Sequence, residues 1–76
     1  MAKTPAHLAI KNRLNVLRAE RRITQEQLAK EVGVTRATII AIEGEDYNPS
    51  LELAFRLARY FDTDVQSLFF IKEGTK

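Results

Sequence analysis

Apolar residues recur along the chain in short helical blocks, each bounded by a residue suited to start or stop a helix. Ile10, Leu14 and Leu17 repeat at the spacing of one helix face. Thr4-Pro5 upstream is a side-chain cap followed by proline at the first helical position. The first helix is therefore expected from about Pro5 or Leu8 to Arg21. Thr24-Gln25-Glu26-Gln27 reads as a capping box, with Ile23 and Leu28 placed for a hydrophobic staple. Leu28, Ala29 and Val32 then face inward, and Gly33 stands where a left-handed residue ends a helix. Thr35 caps a third helix, which carries Ile39 and Ile42 inward and ends near Gly44.

After the loop Glu45-Asp46-Tyr47-Asn48-Pro49, Ser50 caps a fourth helix with Leu53, Ala54, Leu57 and Phe61 on one face. Asp62-Thr63-Asp64 is a turn and cap, and a short fifth helix covers about Val65 to Phe69. The run Leu68-Phe69-Phe70-Ile71 has strand-like composition and is too apolar to hang free in water. Residues 69–73 read as a strand pairing with a symmetry mate or with the N-terminal segment. The alternative is an extension of the fifth helix on its own subunit. No strand is called for before residue 68. The fold class is all-α, with five helices and a short C-terminal strand used in dimerisation.

At 76 residues the chain is expected to be one domain, with a core over about 8–69 and residues 70–76 serving dimerisation. A domain this small buries only about 60% of its unfolded surface, so self-association would help it. Cysteine is absent, which removes disulfides and thiolate metal sites and suits a reducing compartment. No apolar run reaches the roughly 18 residues of a membrane span. The expected location is the cytoplasm. Net charge is +2, but unevenly spread: residues 1–36 hold eight basic against three acidic residues, residues 37–76 four against seven. A basic half suggests a polyanionic partner.

Helix, three-residue turn with glycine, helix is the helix-turn-helix arrangement. Ala29 is small where the two helices cross, and Gly33 takes the turn conformation without a Cβ penalty. The opposite face of the third helix then protrudes with Arg36, Ala37, Ile40 and Ala41, and with Thr35 and Thr38 near its start. Such a face fits a DNA major groove. Arg36 can bond guanine bidentately, Thr35 and Thr38 can bond a base or touch a thymine methyl, and Ala37 and Ala41 can pack on one. Gln25, in the first turn of the second helix, can hold a phosphate. Arg21 and Arg22 read either as phosphate-facing or as helix-end charges that suit the macrodipole.

Residues 13–69 resemble the phage-repressor-like (Cro/CI, or Xre) helix-turn-helix family. The resemblance rests on Gln25, Ala29, Gly33, Ile39 and Ile42 at the motif spacing, and on the downstream YNPSLELAFRLARYF. It implies a lambda-repressor-like DNA-binding domain, phosphate contact at Gln25, and base-proximal Thr35, Arg36, Ala37, Thr38 and Ala41. It also implies a structural ion pair between Arg18 and Glu43. The chain departs from the family in having Ala37 and Ala41 where many members carry glutamine or asparagine. It departs again in the acidic Glu45-Asp46 after the third helix.

The expected function is a dimeric, sequence-specific regulator of transcription, of repressor type, binding double-stranded DNA. The alternative is a protein-interaction module of the same fold, such as an antitoxin. His7 stands alone, and Glu43, Glu45 and Asp46 lack the glycine spacing of a calcium loop, so no metal or cofactor is expected. With one histidine, no cysteine and no phosphate-cradling glycine loop, no enzyme is expected either.

Overall fold

The computed structural model describes residues 9–72. The elements run β1 (Ile10–Asn12), α1 (Leu14–Glu20), α2 (Gln25–Val32), α3 (Arg36–Glu43), α4 (Leu51–Tyr60), α5 (Val65–Leu68) and β2 (Phe69–Ile71). Among the described residues, five helices and one two-stranded sheet make up the fold. Four helices open on a side-chain cap. Thr24 and Gln27 form both bonds of a capping box, Gln27 N–H to Thr24 Oγ1 at 3.0 Å and Thr24 N–H to Gln27 Oε1 at 2.7 Å. Thr35, Ser50 and Asp64 cap α3, α4 and α5 in the simpler way. Each cap satisfies an amide that the helix itself leaves unpaired, worth about 1 kcal/mol.

The first helix is shorter than its apolar spacing suggests, and the expectation of no early strand is overturned. Residues 10–12 are extended and pair antiparallel with β2, Ile10 opposite Ile71, Lys11 opposite Phe70 and Asn12 opposite Phe69. Asn12 enforces the break. Its Oδ1 accepts from Leu14 N–H at 3.1 Å and its Nδ2 donates to Ile42 O at 2.9 Å. One side chain thus opens α1 and ties it to the last turn of α3. The expected helix start at Thr4-Pro5 lies outside the described residues. At the other end α5 stops at Leu68, one residue early, and Phe69 turns into β2. The helix-extension alternative for the tail is thereby excluded over residues 69–71.

The core is built by all five helices. Leu14, Leu28, Ile39, Ile42, Leu57 and Leu68 are fully enclosed, with Ala29, Val32, Leu53, Ala58 and Phe61 around them. Each large aliphatic among them contributes about 1.5–3 kcal/mol. Leu17, Ile23, Val34, Tyr60, Val65 and Phe69 pack on its margin. Ile39 and Ile42 are the only enclosed side chains of α3, so one stripe of that helix anchors it and the rest of its surface is left outward.

Candidate nucleic-acid interface

The turn between α2 and α3 is set by Gly33, whose φ of 78° lies in the left-handed region. Its N–H and that of Val34 both return to Ala29 O, which closes the end of α2. A Cβ on Gly33 would lie 3.2 Å from Arg56 Nη1, the group that donates to Val32 O. The backbone favours glycine there, and the Arg56 guanidinium would have to shift by a few tenths of an ångström to admit a Cβ. Ala29 is buried at the crossing, as its small size allows.

Beyond the turn, Thr35 Oγ1 accepts from Thr38 N–H at 3.2 Å and lies 3.1 Å from Thr38 Oγ1. Both hydroxyls therefore serve the helix start as well as facing outward. Arg36, Ala37 and Ile40 are exposed, while Thr38 and Ala41 are half-buried. The outward stripe of α3 is thus Arg36, Ala37 and Ile40, with Ala41 turned partly inward. Arg36 makes no hydrogen bond or ion pair among the described residues.

The far end of α3 is fixed by Glu43. Its carboxylate accepts from Arg18 Nε at 2.8 Å and Arg18 Nη2 at 3.2 Å, a two-pronged pair. Arg18 Nη1 also donates to Ile23 O at 3.0 Å. The two side chains are 21% and 10% exposed, so the pair is shielded from solvent on most sides. Gln25 Nε2 donates to the same carboxylate, to Oε1 at 3.1 Å. Sequence spacing did not reveal this bond. It holds the Gln25 amide in place and leaves its carbonyl and one amide hydrogen for another partner.

The adjacent arginines after α1 separate. Arg21 Nη1 donates to Tyr60 O at 3.0 Å, and its guanidinium stands 5.3 Å from the ring centres of Tyr60 and Phe61. It binds α1 to α4. Arg22 does neither, and lines a surface groove with Arg18, Ile23, Thr24, Gln25, Glu26 and Arg36. Lys11 meets Glu45 at 3.4 Å, which offsets one charge of the acidic loop. Tyr47 is exposed, whereas Tyr60 packs edge-on against Phe61. Among the described residues no group of acidic, histidine or cysteine side chains could hold a metal ion.

Three comparisons bear on this arrangement. The helix-turn-helix family model matches residues 14–68. An uncharacterized HTH-type transcriptional regulator of Methanocaldococcus jannaschii is 47% identical over 64 residues, 84% of this chain and 97% of that protein. The regulator YgzD of Bacillus subtilis is 42% identical over 64 residues, with the same coverage of each chain. The crystal structure of a restriction-modification controller protein from Aeromonas hydrophila superposes with a TM-score of 0.66 at 31% identity. That match covers 72% of this chain and 80% of the controller. With the Gly33 turn, the capped α3 and the buried Ile39–Ile42 stripe in place, the chain belongs to the helix-turn-helix family.

Proposed function

We propose that the protein is a DNA-binding regulator of transcription that lays α3 in the major groove. The observation that carries this reading is the state of α3. It is anchored by Ile39 and Ile42, fixed at its end by Arg18 and Glu43, and bare along Arg36, Ala37 and Ile40. An anchored helix whose outward stripe and first-turn arginine have no partner among the described residues suits base readout. In this reading Arg36 reads guanine, Ala37 and Ala41 pack on thymine methyls, and Thr35 and Thr38 touch bases near the helix start. Gln25, steadied by Glu43, directs its remaining hydrogen-bonding capacity at a phosphate. The antitoxin alternative would be favoured by a tail lying over α3. The described tail instead pairs with β1.

The proposed unit is a homodimer joined through β2. In the antiparallel ladder Arg13 N–H bonds Leu68 O and Lys72 N–H bonds Ala9 O. Alternation then makes Lys11 and Phe70 the bonded pair between them and turns the backbone groups of Phe69 and Ile71 away from β1. Phe69 N–H is taken by Val65 O. Among the described residues, Phe69 C=O and both groups of Ile71 remain on the open edge, where a second copy of the strand can meet them. Phe70 and Ile71 are 42% and 50% exposed beside that edge. A two-fold axis there would cover both side chains and present two α3 helices to half-sites about one helical turn apart. No helix among the described residues is long and apolar enough to cross a membrane, and the cytoplasm is the proposed place of action.

The test is Arg36→Ala. It should cost roughly 1–3 kcal/mol on the preferred site and relax preference at one base position per half-site. An equal loss on every sequence would make Arg36 a phosphate contact and refute the assignment.

A further inference from the structure

Arg22 occupies a backbone position that its side chain makes unfavourable. Its φ is 58°, left-handed, and an L-residue there crowds its Cβ against the following carbonyl. Among the described residues, two others with side chains share that conformation, Glu45 and Asp62. Aspartate tolerates it better than arginine does, and Glu45 holds an ion pair with Lys11. Arg22 has neither excuse. Its backbone N–H closes the end of α1 on Ala19 O at 3.0 Å, a bond that glycine would make equally well. Its side chain is exposed and makes no hydrogen bond or ion pair among the described residues.

The groove that Arg22 lines explains what the side chain can do. Arg36, the first residue of α3, lines that groove too, together with Gln25. The charges there can be counted. Arg18 is neutralised by Glu43. That leaves Arg22 and Arg36 against the carboxylate of Glu26, which also lines the groove. Without Arg22 the balance falls from two cations against one anion to one against one. Arg22 sits on the α1–α2 turn, outside the helix whose stripe would enter the major groove. A cation so placed meets the sugar–phosphate backbone bordering the groove, not base edges.

We propose that Arg22 is a DNA phosphate contact outside the recognition helix, placed at the α1–α2 turn at some cost to the stability of the fold. The proposal rests on the DNA-binding reading above. It separates two properties that a structural role would keep together. Arg22→Gly should raise the melting temperature by roughly 2–5 °C, because the left-handed strain is relieved while the unfolded chain gains some freedom. The same variant should bind mixed-sequence double-stranded DNA more weakly. The loss should be about fourfold per protomer bound near 0.2 M salt, with the slope of log affinity against log salt smaller by about 0.9 per protomer. Arg22→Lys keeps the charge and should retain the wild-type slope.

Thermal melts and salt titrations of the three proteins decide the matter. A more stable, weaker-binding Arg22→Gly with a reduced slope supports the proposal. An Arg22→Gly protein with unchanged affinity and slope beside a wild type that binds overturns it and leaves the regulator reading intact. A lower melting temperature would assign Arg22 a structural role, and a loss confined to certain sequences would make it a base contact. Either overturns the proposal. A wild type with no salt-dependent affinity for any duplex would overturn the regulator reading itself.

Discussion

Breaking the Arg18–Glu43 pair should cost far more than losing a surface ion pair. The Glu43 carboxylate accepts three hydrogen bonds, two from Arg18 and one from Gln25, and the paired side chains are only 21% and 10% exposed. Removing one partner of a fully buried pair costs about 3–5 kcal/mol, and an exposed pair is worth about 0–1 kcal/mol. This geometry lies nearer the first case, so Arg18→Met should destabilise by about 2–3 kcal/mol. In a domain of this size that lowers the melting temperature by roughly 10–20 °C. Arg18→Met also loses the bond to Ile23 O, which Glu43→Gln retains, so the arginine variant should be the less stable of the two. Glu43→Gln keeps the shape of the acceptor but withdraws its charge from Arg18. A double-mutant cycle followed by thermal and urea melts should give a coupling of about 1–2 kcal/mol. Additivity within about 0.3 kcal/mol would refute the reasoning, since it would mean that the two charges do not depend on one another.

Two further perturbations test the turn and the dimer. Gly33→Ala should destabilise by at least about 1–2 kcal/mol, because alanine at φ 78° is strained and its Cβ would also press on Arg56 Nη1 at 3.2 Å; an unchanged urea midpoint would contradict this. Phe70→Asp and Ile71→Asp place charges beside the open edge of β2 at side chains already half-exposed, so the monomer fold should survive while sedimentation shows loss of the dimer. Variants that sediment as the wild type does would remove this edge as the interface.

Local signals carried the sequence reading furthest. Thr24 with Gln27, Thr35, Ser50 and the Gly33 stop are each recognisable within a few residues, and all appear in the structure. The inward stripes of α2, α3 and α4 followed from helical spacing. The early strand was hidden for the opposite reason. Residues 10–12 are extended because residues 69–71 pair with them across nearly the whole chain. Three residues are too few to show a period of two, and Ile10 fits the spacing of Leu14 and Leu17. Asn12 was readable only as a polar residue in a helix, though its side chain is what starts α1 at Leu14. Side-chain choices were equally illegible. Arg21 and Arg22 are alike in sequence, and only the approach of Tyr60 gives Arg21 a partner. The Gln25–Glu43 bond depends on where α3 ends relative to α2, which no local pattern states.

The most direct test of the central claim is selection of bound duplexes from a random-sequence library, with wild-type protein. An α3 stripe of Arg36, Ala37 and Ile40 entering the major groove of two half-sites should enrich one inverted repeat. Its halves should be centred about one helical turn apart, with guanine at a position that loses its preference in Arg36→Ala. Recovery of sequences with no shared motif, or a motif unaffected by that substitution, would contradict base readout by α3.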